Sequence, residues 1–282
     1  KTGKWIYKYP KGALWQEFSY ENDKPVGSYK KYHENGVLQE EGNYVNGLLE
    51  GEVKMYYPSN KLLSKVIFKR NSKEGEAVSY YENGKEQEKG KFVHNKYEGE
   101  VKIYYDNGDV AIEQNYKNGL IEGVYKEFYK GNKQKVVANY IKGREEGDYT
   151  IYYEDGKKQV VSKFKNGLPE GEWIYYYPNE KEQKKMTFSN GLRNGKQIEY
   201  YESGKVKLES EFKNDKENGL WNVYFENGNI STTFTYSEGL LNGSVVINNE
   251  KGIKIVEGNY KNGKEDGKWI FYDESGKVRK EE

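Results

Sequence analysis

Glycine recurs every 24 residues along the whole chain, with no insertion or deletion. The repeat glycines are Gly3, Gly27, Gly51, Gly75, Gly99, Gly123, Gly147, Gly171, Gly195, Gly219, Gly243 and Gly267. An aromatic residue follows 17 residues after each of the first eleven, from Tyr20 to Tyr260. A fixed period of this length predicts a repeat architecture, in which each unit packs only against its neighbours. Positions are counted below from the repeat glycine, which is position 0.

Two turn signals mark the repeat. Position 20 holds only Gly, Asn or Asp, as at Asp23, Gly47 and Asn71, and these residue types tolerate a left-handed backbone. Position 9 holds glycine in most repeats, including Gly12 and Gly36. Two turns predict two strands in each repeat, joined as a β-hairpin.

The segment between the two turns alternates as a strand does. Positions 11, 13, 15 and 17 are mainly aliphatic, small or aromatic, whereas Glu, Lys, Asn, Ser and Thr dominate between them. This period of two predicts a half-buried strand with those four positions on its buried face. Position 2, which holds Trp5, Tyr29 or Val53, is expected on the same face, across from small residues at position 15 such as Gly42 and Gly90. By the same parity, position 5 faces the opposite, charged side.

These patterns predict an all-β fold, an elongated single-sheet solenoid of about twelve antiparallel β-hairpin repeats of 24 residues. One continuous domain is expected over residues 1–282. Helical repeats are disfavoured because Tyr, Val and Thr are frequent and no long stripe of apolar residues follows the helical period. Repeat eleven departs from the pattern at Asn248 and Asn249, which replace paired aromatics; a bend, a partner site and sequence drift are the alternatives, with drift the default.

Composition limits the partners of such a chain. Lys and Arg number 46 against 45 Asp and Glu, and both signs are mixed, so no nucleic-acid partner is expected. Cysteine is absent, which removes disulfides and thiolate metal sites. No apolar stretch reaches the length of a transmembrane helix. The chain begins at Lys1 rather than at methionine, which leaves room for an export signal ahead of it, so an exported or cell-surface protein is favoured over a cytoplasmic one.

One string recurs along the chain: aromatic-Lys-Asn-Gly-x-x-x-Gly-x-Trp-x-x-Tyr-Tyr-x-x-Gly. It is seen from Phe164 to Glu180, where Glu180 replaces the last glycine. The string closely resembles the MORN repeat (membrane occupation and recognition nexus), in the variant common in bacteria. The resemblance covers essentially the whole chain. It implies an array of β-hairpins that serves as a scaffold or recognition surface. Similar bacterial chains are often catalogued as antitoxins of the YwqK type. A lipid-kinase label is also attached to MORN proteins, but the sequence holds no kinase domain to support it.

Catalytic and metal-binding motifs are not found. The chain has no Gly-x-Gly-x-x-Gly, Walker-type, His-Glu-x-x-His or Asp-x-Asp pattern. His33 and His94 are the only histidines and occupy different repeat positions, so they suggest neither a metal pair nor a catalytic triad. Neighbouring carboxylates such as Glu40 and Glu41 are expected to lie on solvated surfaces. No catalytic residue, metal site or cofactor is predicted.

The tyrosine column at position 5 is the candidate binding site. A row of flat amphipathic rings is suited to an extended protein or glycan partner. The favoured alternative is that the rings stack on one another and hold successive hairpins in register. The column comprises Tyr32, Tyr56, Tyr80, Tyr104, Tyr152, Tyr176, Tyr200, Tyr224 and Tyr272, with Phe128 in the sixth repeat.

The sequence therefore predicts a non-enzymatic scaffold that binds another protein, at the bacterial cell surface or as an antitoxin-like partner. The alternative is a glycan- or lipid-recognition module that uses the tyrosine column, although a near-zero net charge argues against an anionic membrane surface. Open sheet edges also favour end-to-end self-association unless charges such as Lys280, Glu281 and Glu282 prevent it.

Overall fold

The computed structural model describes residues 1–282 and contains strands and turns but no helix. It divides into two compact units, Lys1–Arg144 and Glu145–Glu282. The 24-residue repeat runs through both units. The single continuous domain expected from the sequence stays a prediction.

In each unit the strands form an open antiparallel sheet. The strands that begin in the first unit are β1 (Gly3–Lys8), β2 (Leu14–Glu21), β3 (Lys24–Tyr32), β4 (Leu38–Val45), β5 (Leu48–Leu49), β6 (Gly51–Tyr56), β7 (Leu62–Lys69), β8 (Ser72–Tyr80), β9 (Glu86–Val93), β10 (Lys96–Tyr97), β11 (Gly99–Tyr104), β12 (Val110–Lys117), β13 (Leu120–Ile121), β14 (Gly123–Tyr129), β15 (Lys133–Ile141) and β16 (Arg144–Tyr152). The strands that follow in the second unit are β17 (Lys158–Lys165), β18 (Leu168–Pro169), β19 (Gly171–Tyr176), β20 (Glu182–Ser189), β21 (Leu192–Tyr200), β22 (Val206–Lys213), β23 (Lys216–Tyr224), β24 (Ile230–Ser237), β25 (Leu240–Leu241), β26 (Gly243–Asn248), β27 (Lys254–Lys261), β28 (Lys264–Glu265), β29 (Ile270–Tyr272) and β30 (Val278–Glu281).

The predicted hairpin register is confirmed through most of its length. In the second repeat, Gly27 pairs with Tyr44 and Tyr29 pairs with Gly42, so position 2 lies across from position 15. The same pairing joins Trp173 to Met186 in the second unit. The all-β solenoid of antiparallel hairpin repeats is therefore the fold of this chain.

Each repeat has two different turns. A two-residue turn follows position 18; at Asn46 and Gly47 the φ angles are 52° and 85°, and two positive values in succession define a type I′ turn. A longer loop spans positions 6 to 10, where the amide of Gly36 donates to the carbonyl of His33 and the amide of His33 donates to the carbonyl of Val37. These two hydrogen bonds close the loop around a glycine in the left-handed region (φ 82°).

A β-bulge corrects one part of the predicted alternation. Lys31 pairs with Glu40 but Tyr32 pairs with Leu38, so Gln39 at position 12 is an unpaired extra residue. The extra residue switches parity, and position 11 therefore lies on the charged face with position 5, not on the buried face. The prediction that position 11 is buried with positions 13, 15 and 17 was wrong for this reason. In the second unit, Glu182 at position 11 forms an ion pair with Lys185 at position 14, at 3.3 Å.

Almost all of the buried side chains occupy positions 2, 13, 15 and 17. They are Tyr29, Val53, Phe92, Val101, Gln114, Val136 and Ala138 in the first unit, and Val160, Ser162, Met186, Gln197, Ser210, Phe212 and Val245 in the second. Rings at positions 2 and 17 pack together within a repeat, as in Tyr29 and Tyr44, whose centroids are 4.9 Å apart. The buried face thus combines aromatic rings with small aliphatic side chains, among which valine is the most frequent buried residue.

Small residues at position 15 make room for the next repeat. A β-carbon on Gly90 would lie 2.9 Å from Cγ2 of Val101 and 3.1 Å from Cε1 of Tyr97. A β-carbon on Gly42 would lie 2.9 Å from Cγ2 of Val53, which belongs to the next repeat. The alternation of large and small residues predicted from the sequence is a packing requirement between successive hairpins.

Candidate binding site

The position-5 residues, called the tyrosine ladder below, end the strands that lead into the long loops. Tyr32 is the last residue of β3, Tyr80 of β8, Tyr176 of β19 and Tyr224 of β23. All nine ladder tyrosines are half-buried. The structure contains no second layer over the face that carries them, so this row is a surface of the folded chain.

Several ladder hydroxyls bond to a glutamate at position 14 of the preceding repeat. The hydroxyl of Tyr56 donates to Oε1 of Glu41 at 2.7 Å, and that of Tyr224 donates to Oε2 of Glu209 at 2.7 Å. Tyr272 makes the same contact with Glu257. Burial, followed by these carboxylate contacts, raises the pKa of Tyr56 and of Tyr224 to about 12. The rings are therefore neutral and oriented, with the hydroxyl held toward the sheet.

Most of the ladder rings do not stack on one another. No ring contact joins Tyr32, Tyr56, Tyr80 and Tyr104 in the first unit, or Tyr176, Tyr200 and Tyr224 in the second. The ring contacts of the protein lie mainly on the opposite face, between positions 2 and 17. The stacking interpretation of the ladder fails for these residues, and another group must hold the hairpins in register.

A second tyrosine column, at position 6, links successive repeats. The hydroxyl of Tyr57 donates to the backbone carbonyl of Tyr80 at 2.8 Å, and that of Tyr81 donates to the carbonyl of Tyr104 at 2.7 Å. In the second unit Tyr177 donates to the carbonyl of Tyr200 at 2.8 Å. The same contact is made from Tyr9, Tyr105, Tyr153 and Tyr201. The position-6 tyrosine therefore joins its long loop, through one hydrogen bond, to the backbone at the end of the next ladder strand.

Sequence reasoning missed the role of position 6, although the signal was present as a Tyr-Tyr pair in many repeats. Strand parity does not apply there, because position 6 is already the first residue of the loop. His33 occupies this position in the second repeat, and its Nε2 lies 2.9 Å from the carbonyl oxygen of Tyr56. His33 thus replaces a tyrosine in the column. His94 is exposed in a type I′ turn, with Nε2 3.7 Å from Oε1 of Glu74.

The ladder has different neighbours in the two units. Position 3, on the same face, is mainly lysine in the first unit and mainly aliphatic in the second. The first-unit residues include Lys30, Lys54, Lys102 and Lys126, and the second-unit residues include Ile174, Ile198, Val246 and Ile270. The same row of tyrosines is therefore bordered by cations in one unit and by half-buried aliphatic side chains in the other.

An open depression of 530 Å³ lies between two successive rungs of the ladder in the second unit. Tyr152 and Tyr176 border it, together with Asp155, Lys158 and Glu180. It brings two aromatic rings, an amine and carboxylates to one concave surface. No group of three or more His, Cys, Asp or Glu side chains is arranged to hold a metal ion.

In repeat eleven, Asn249 closes its own loop. Its Oδ1 accepts the backbone amides of Lys251 and Ile253, each at 3.0 Å. Asn248 donates from Nδ2 to the carbonyl of Ile230 at 3.0 Å. Both asparagines thus have local structural contacts in place of the aromatics.

The MORN repeat variant model matches residues 1–22, 25–46, 49–70, 73–94, 97–118, 145–166, 169–190, 193–214 and 265–282, which together make up more than half of the chain. The chain belongs to the MORN repeat variant family. The MORN repeat model itself matches residues 257–268. MORN repeats are in general non-catalytic scaffolds for binding.

Solved structures similar to this MORN array include the Photorhabdus luminescens Tc holotoxin pore, at 11% identity and a TM-score of 0.17 over 99% of this chain and 17% of that chain. Another is a TcdB2–TccC3 crystal structure, at 10% identity and a TM-score of 0.19 over 97% of this chain and 16% of that chain. The chain thus spans about one sixth of either length, and TM-scores this low support no inference. No curated protein matches. The structure has no helix long and apolar enough to cross a membrane.

Proposed function

We propose that this MORN-repeat protein is a non-enzymatic scaffold that binds another protein across the tyrosine ladder of its second unit. One observation carries the proposal: the rings of Tyr176, Tyr200 and Tyr224 do not stack on one another and lie beside an aliphatic row on an uncovered sheet face. Neutralising a bacterial toxin, as an antitoxin-like partner, and holding a partner at the cell surface both require an extended surface of this kind.

The chemistry of this face suits a protein partner. Tyrosine supplies large contact area with little loss of side-chain freedom, and it is enriched among residues that dominate binding energy. Tyr176, Tyr200 and Tyr224 are spaced by one repeat, with Ile174 and Ile198 on the same face. Burying the half-exposed rings and aliphatic side chains would remove apolar area from water along several hairpins.

Affinity measurements on ladder variants test the proposal. Tyr176, Tyr200 and Tyr224 are replaced together by threonine, which keeps strand propensity. A partner recovered with the native protein should bind the triple variant at least about tenfold more weakly, because each lost anchor costs about 1 kcal/mol or more.

The control replaces three exposed residues of the hairpins that carry Tyr176 and Tyr200, namely Glu172, Lys196 and Glu211, by threonine. It should bind as the native protein does. Equal affinity of the native protein and the ladder variant, with both folded by circular dichroism, would remove the ladder from the binding surface.

A second candidate function is glycan recognition, and the depression between Tyr152 and Tyr176 favours it. Two rings flanked by an amine and carboxylates offer both stacking and hydrogen bonds to a sugar. A glycan array with the native protein and a Tyr176→Ser variant distinguishes the two functions. Glycan binding lost in Tyr176→Ser supports the second candidate, whereas an array without any bound glycan excludes it.

A further inference from the structure

Repeat four leaves a gap in the row of large side chains on the buried face. On this face position 15 of one repeat lies beside position 2 of the next, and most of these pairs include an aromatic ring, such as Ser162 with Trp173. Two pairs that combine glycine with valine are covered by a neighbouring tyrosine ring. The pair between repeats three and four is Val66 and Ala77, which are both small and include no ring.

An open depression of 270 Å³ lies over this pair. Val66 and Ala77 border it, together with the rings of Phe68, Phe92 and Tyr97. This depression is called the repeat-four pocket. Its mainly apolar and aromatic lining is typical of sites that bind a small ligand or a single anchor residue of a protein partner. It belongs to the first unit and lies on the opposite face of the sheet from the tyrosine ladder.

Two of the lining residues are less covered than their equivalents in other repeats. Ala77 is half-buried, whereas Val53 and Val101, at position 2 of the adjacent repeats, are 2% and 1% exposed. Phe68 is the only aromatic ring at position 17 that makes no contact with another ring. Aromatic rings gain free energy from a tilted or edge-to-face ring partner. The uncovered ring of Phe68 therefore favours an aromatic occupant.

Polar groups collect along one side of the repeat-four pocket. Ser64 and Ser79 are paired directly across two strands, and Ser79 is paired with Glu88 on the next strand. All three residues border the pocket. Glu88 accepts the hydroxyl of Tyr97 through Oε1. Because this carboxylate has a second oxygen and two hydroxyls beside it, the pocket can accept a hydrogen bond from its occupant.

Repeat two shows how the chain itself fills the equivalent space. The ring of Tyr29, at position 2, stacks on that of Phe18, with centroids 5.2 Å apart and planes within 6°. Its hydroxyl donates to Oε1 of Glu40 at 2.7 Å. In repeat four Ala77 replaces the tyrosine, whereas Glu88 keeps the carboxylate at the same position as Glu40. A phenol ring with its hydroxyl toward the carboxylate is therefore the group that repeat four lacks.

We infer that the repeat-four pocket binds a tyrosine side chain of a partner protein, with the ring against Phe68 and the hydroxyl donating to Glu88. Lys73 also borders the pocket, and its Nζ lies 4.9 Å from the centre of the Phe92 ring. One amine and one carboxylate balance in charge, which favours a neutral occupant. A free phenol has few atoms from which to gain affinity, whereas a tyrosine carried by a partner adds an anchor to a larger interface. This surface is additional to the tyrosine ladder.

An NMR titration with the peptide acetyl-Gly-Ser-Tyr-Ser-Gly-amide tests the inference. The backbone amide signals of Ser64, Ala77 and Ser79 should shift on binding. The same peptide with phenylalanine should bind about tenfold more weakly, because it lacks the hydrogen bond to a charged acceptor. An Ala77→Leu variant places a larger side chain in the pocket and should lose the shifts. Ala77→Gly, which leaves the space open, should retain them.

Variants of the carboxylate test the direction of the hydrogen bond. Glu88→Gln has the same shape but no charge, so the preference for tyrosine over phenylalanine should fall to about threefold. The matched control is Glu40→Gln in repeat two, which should leave the preference unchanged because Tyr29 already occupies that site. Since Glu88→Gln conserves volume, this comparison remains available if Ala77→Leu does not fold.

Four results would overturn the inference: no shift of these amides, equal shifts in Ala77→Leu and the native protein, equal affinity for the two peptides, or tighter binding of free p-cresol than of the tyrosine peptide. The last result would assign the pocket to a small phenol. A ladder variant with threonine at Tyr176, Tyr200 and Tyr224 should bind the tyrosine peptide as the native protein does, so that failure of the ladder proposal is separate from failure of this one.

Discussion

Adding one methyl group at Gly90 tests how successive repeats are packed. In a Gly90→Ala variant the new β-carbon lies 2.9 Å from Cγ2 of Val101 and 3.1 Å from Cε1 of Tyr97, whereas carbon atoms prefer about 3.5–4.0 Å. Val101 is 1% exposed, so neighbouring side chains surround it. Overpacking of this kind costs about 1–3 kcal/mol. Alanine regains about 0.5–1 kcal/mol over glycine in a strand, so the expected net loss in free energy of unfolding is about 1–2 kcal/mol.

A double-mutant cycle identifies the cause. Val101→Ala alone removes two buried methyl groups and should cost about 2 kcal/mol. In that background the Gly90→Ala change should cost about 1 kcal/mol less than in the native protein, because its nearest contact is gone. Urea unfolding followed by circular dichroism and tyrosine fluorescence provides the four free energies. Ala138, which naturally occupies position 15 and is buried, is the reverse control: Ala138→Gly should destabilise the protein.

A Gly90→Ala variant that is more stable than the native protein, or whose loss of stability is the same with and without the Val101→Ala change, would show that Val101 does not restrict position 15.

Three further predictions follow from the hydrogen bonds of the repeat. Tyr81→Phe should lower the free energy of unfolding by about 0.5–1.5 kcal/mol because it removes a bond to the next repeat, whereas Tyr80→Phe on the ladder should change it little; equal effects in urea unfolding would contradict the assignment of position 6. Tyr56→Phe should remove one phenol that ionises near pH 12 from the absorbance titration at 295 nm. Since the pKa of Tyr56 is raised in the folded protein, Tyr56 stabilises the fold below about pH 10, and this contribution is lost as the pH rises toward 12. A titration curve that is unchanged in Tyr56→Phe would contradict the raised pKa of Tyr56. Glu98→Ala should cost about 1–2 kcal/mol because a turn amide loses its acceptor, and Glu100→Ala, with an exposed side chain, should cost less in the same thermal unfolding experiment.

Much of the fold was predictable because its rules act at short range. The type I′ turn at Asn46 and Gly47 follows from residues that tolerate positive φ angles. The pairing of Tyr29 with Gly42 follows from the size of the two side chains. In both cases the residues that carry the signal are the residues that make the contact.

The β-bulge and the contacts of the position-6 tyrosines were not predictable from the alternation of apolar and polar residues. The bulge at Gln39 has no residue of its own that marks it, since position 12 varies among repeats. One inserted residue moves Leu38 to the charged face. The bond from Tyr57 to the carbonyl of Tyr80 joins a side chain to backbone 23 residues away, and such a contact depends on how the loops stack.

We propose that position 5 forms the binding surface, whereas the position-6 tyrosines are part of the scaffold. Hydroxyl-radical footprinting of the protein with and without its bound partner tests it within single peptides, because Tyr176 precedes Tyr177 and Tyr200 precedes Tyr201. We expect partner binding to lower the oxidation rate of Tyr176 and Tyr200 several-fold and to leave that of Tyr177 and Tyr201 unchanged. Equal protection of both columns, or protection confined to Trp173 on the opposite face, would contradict the claim.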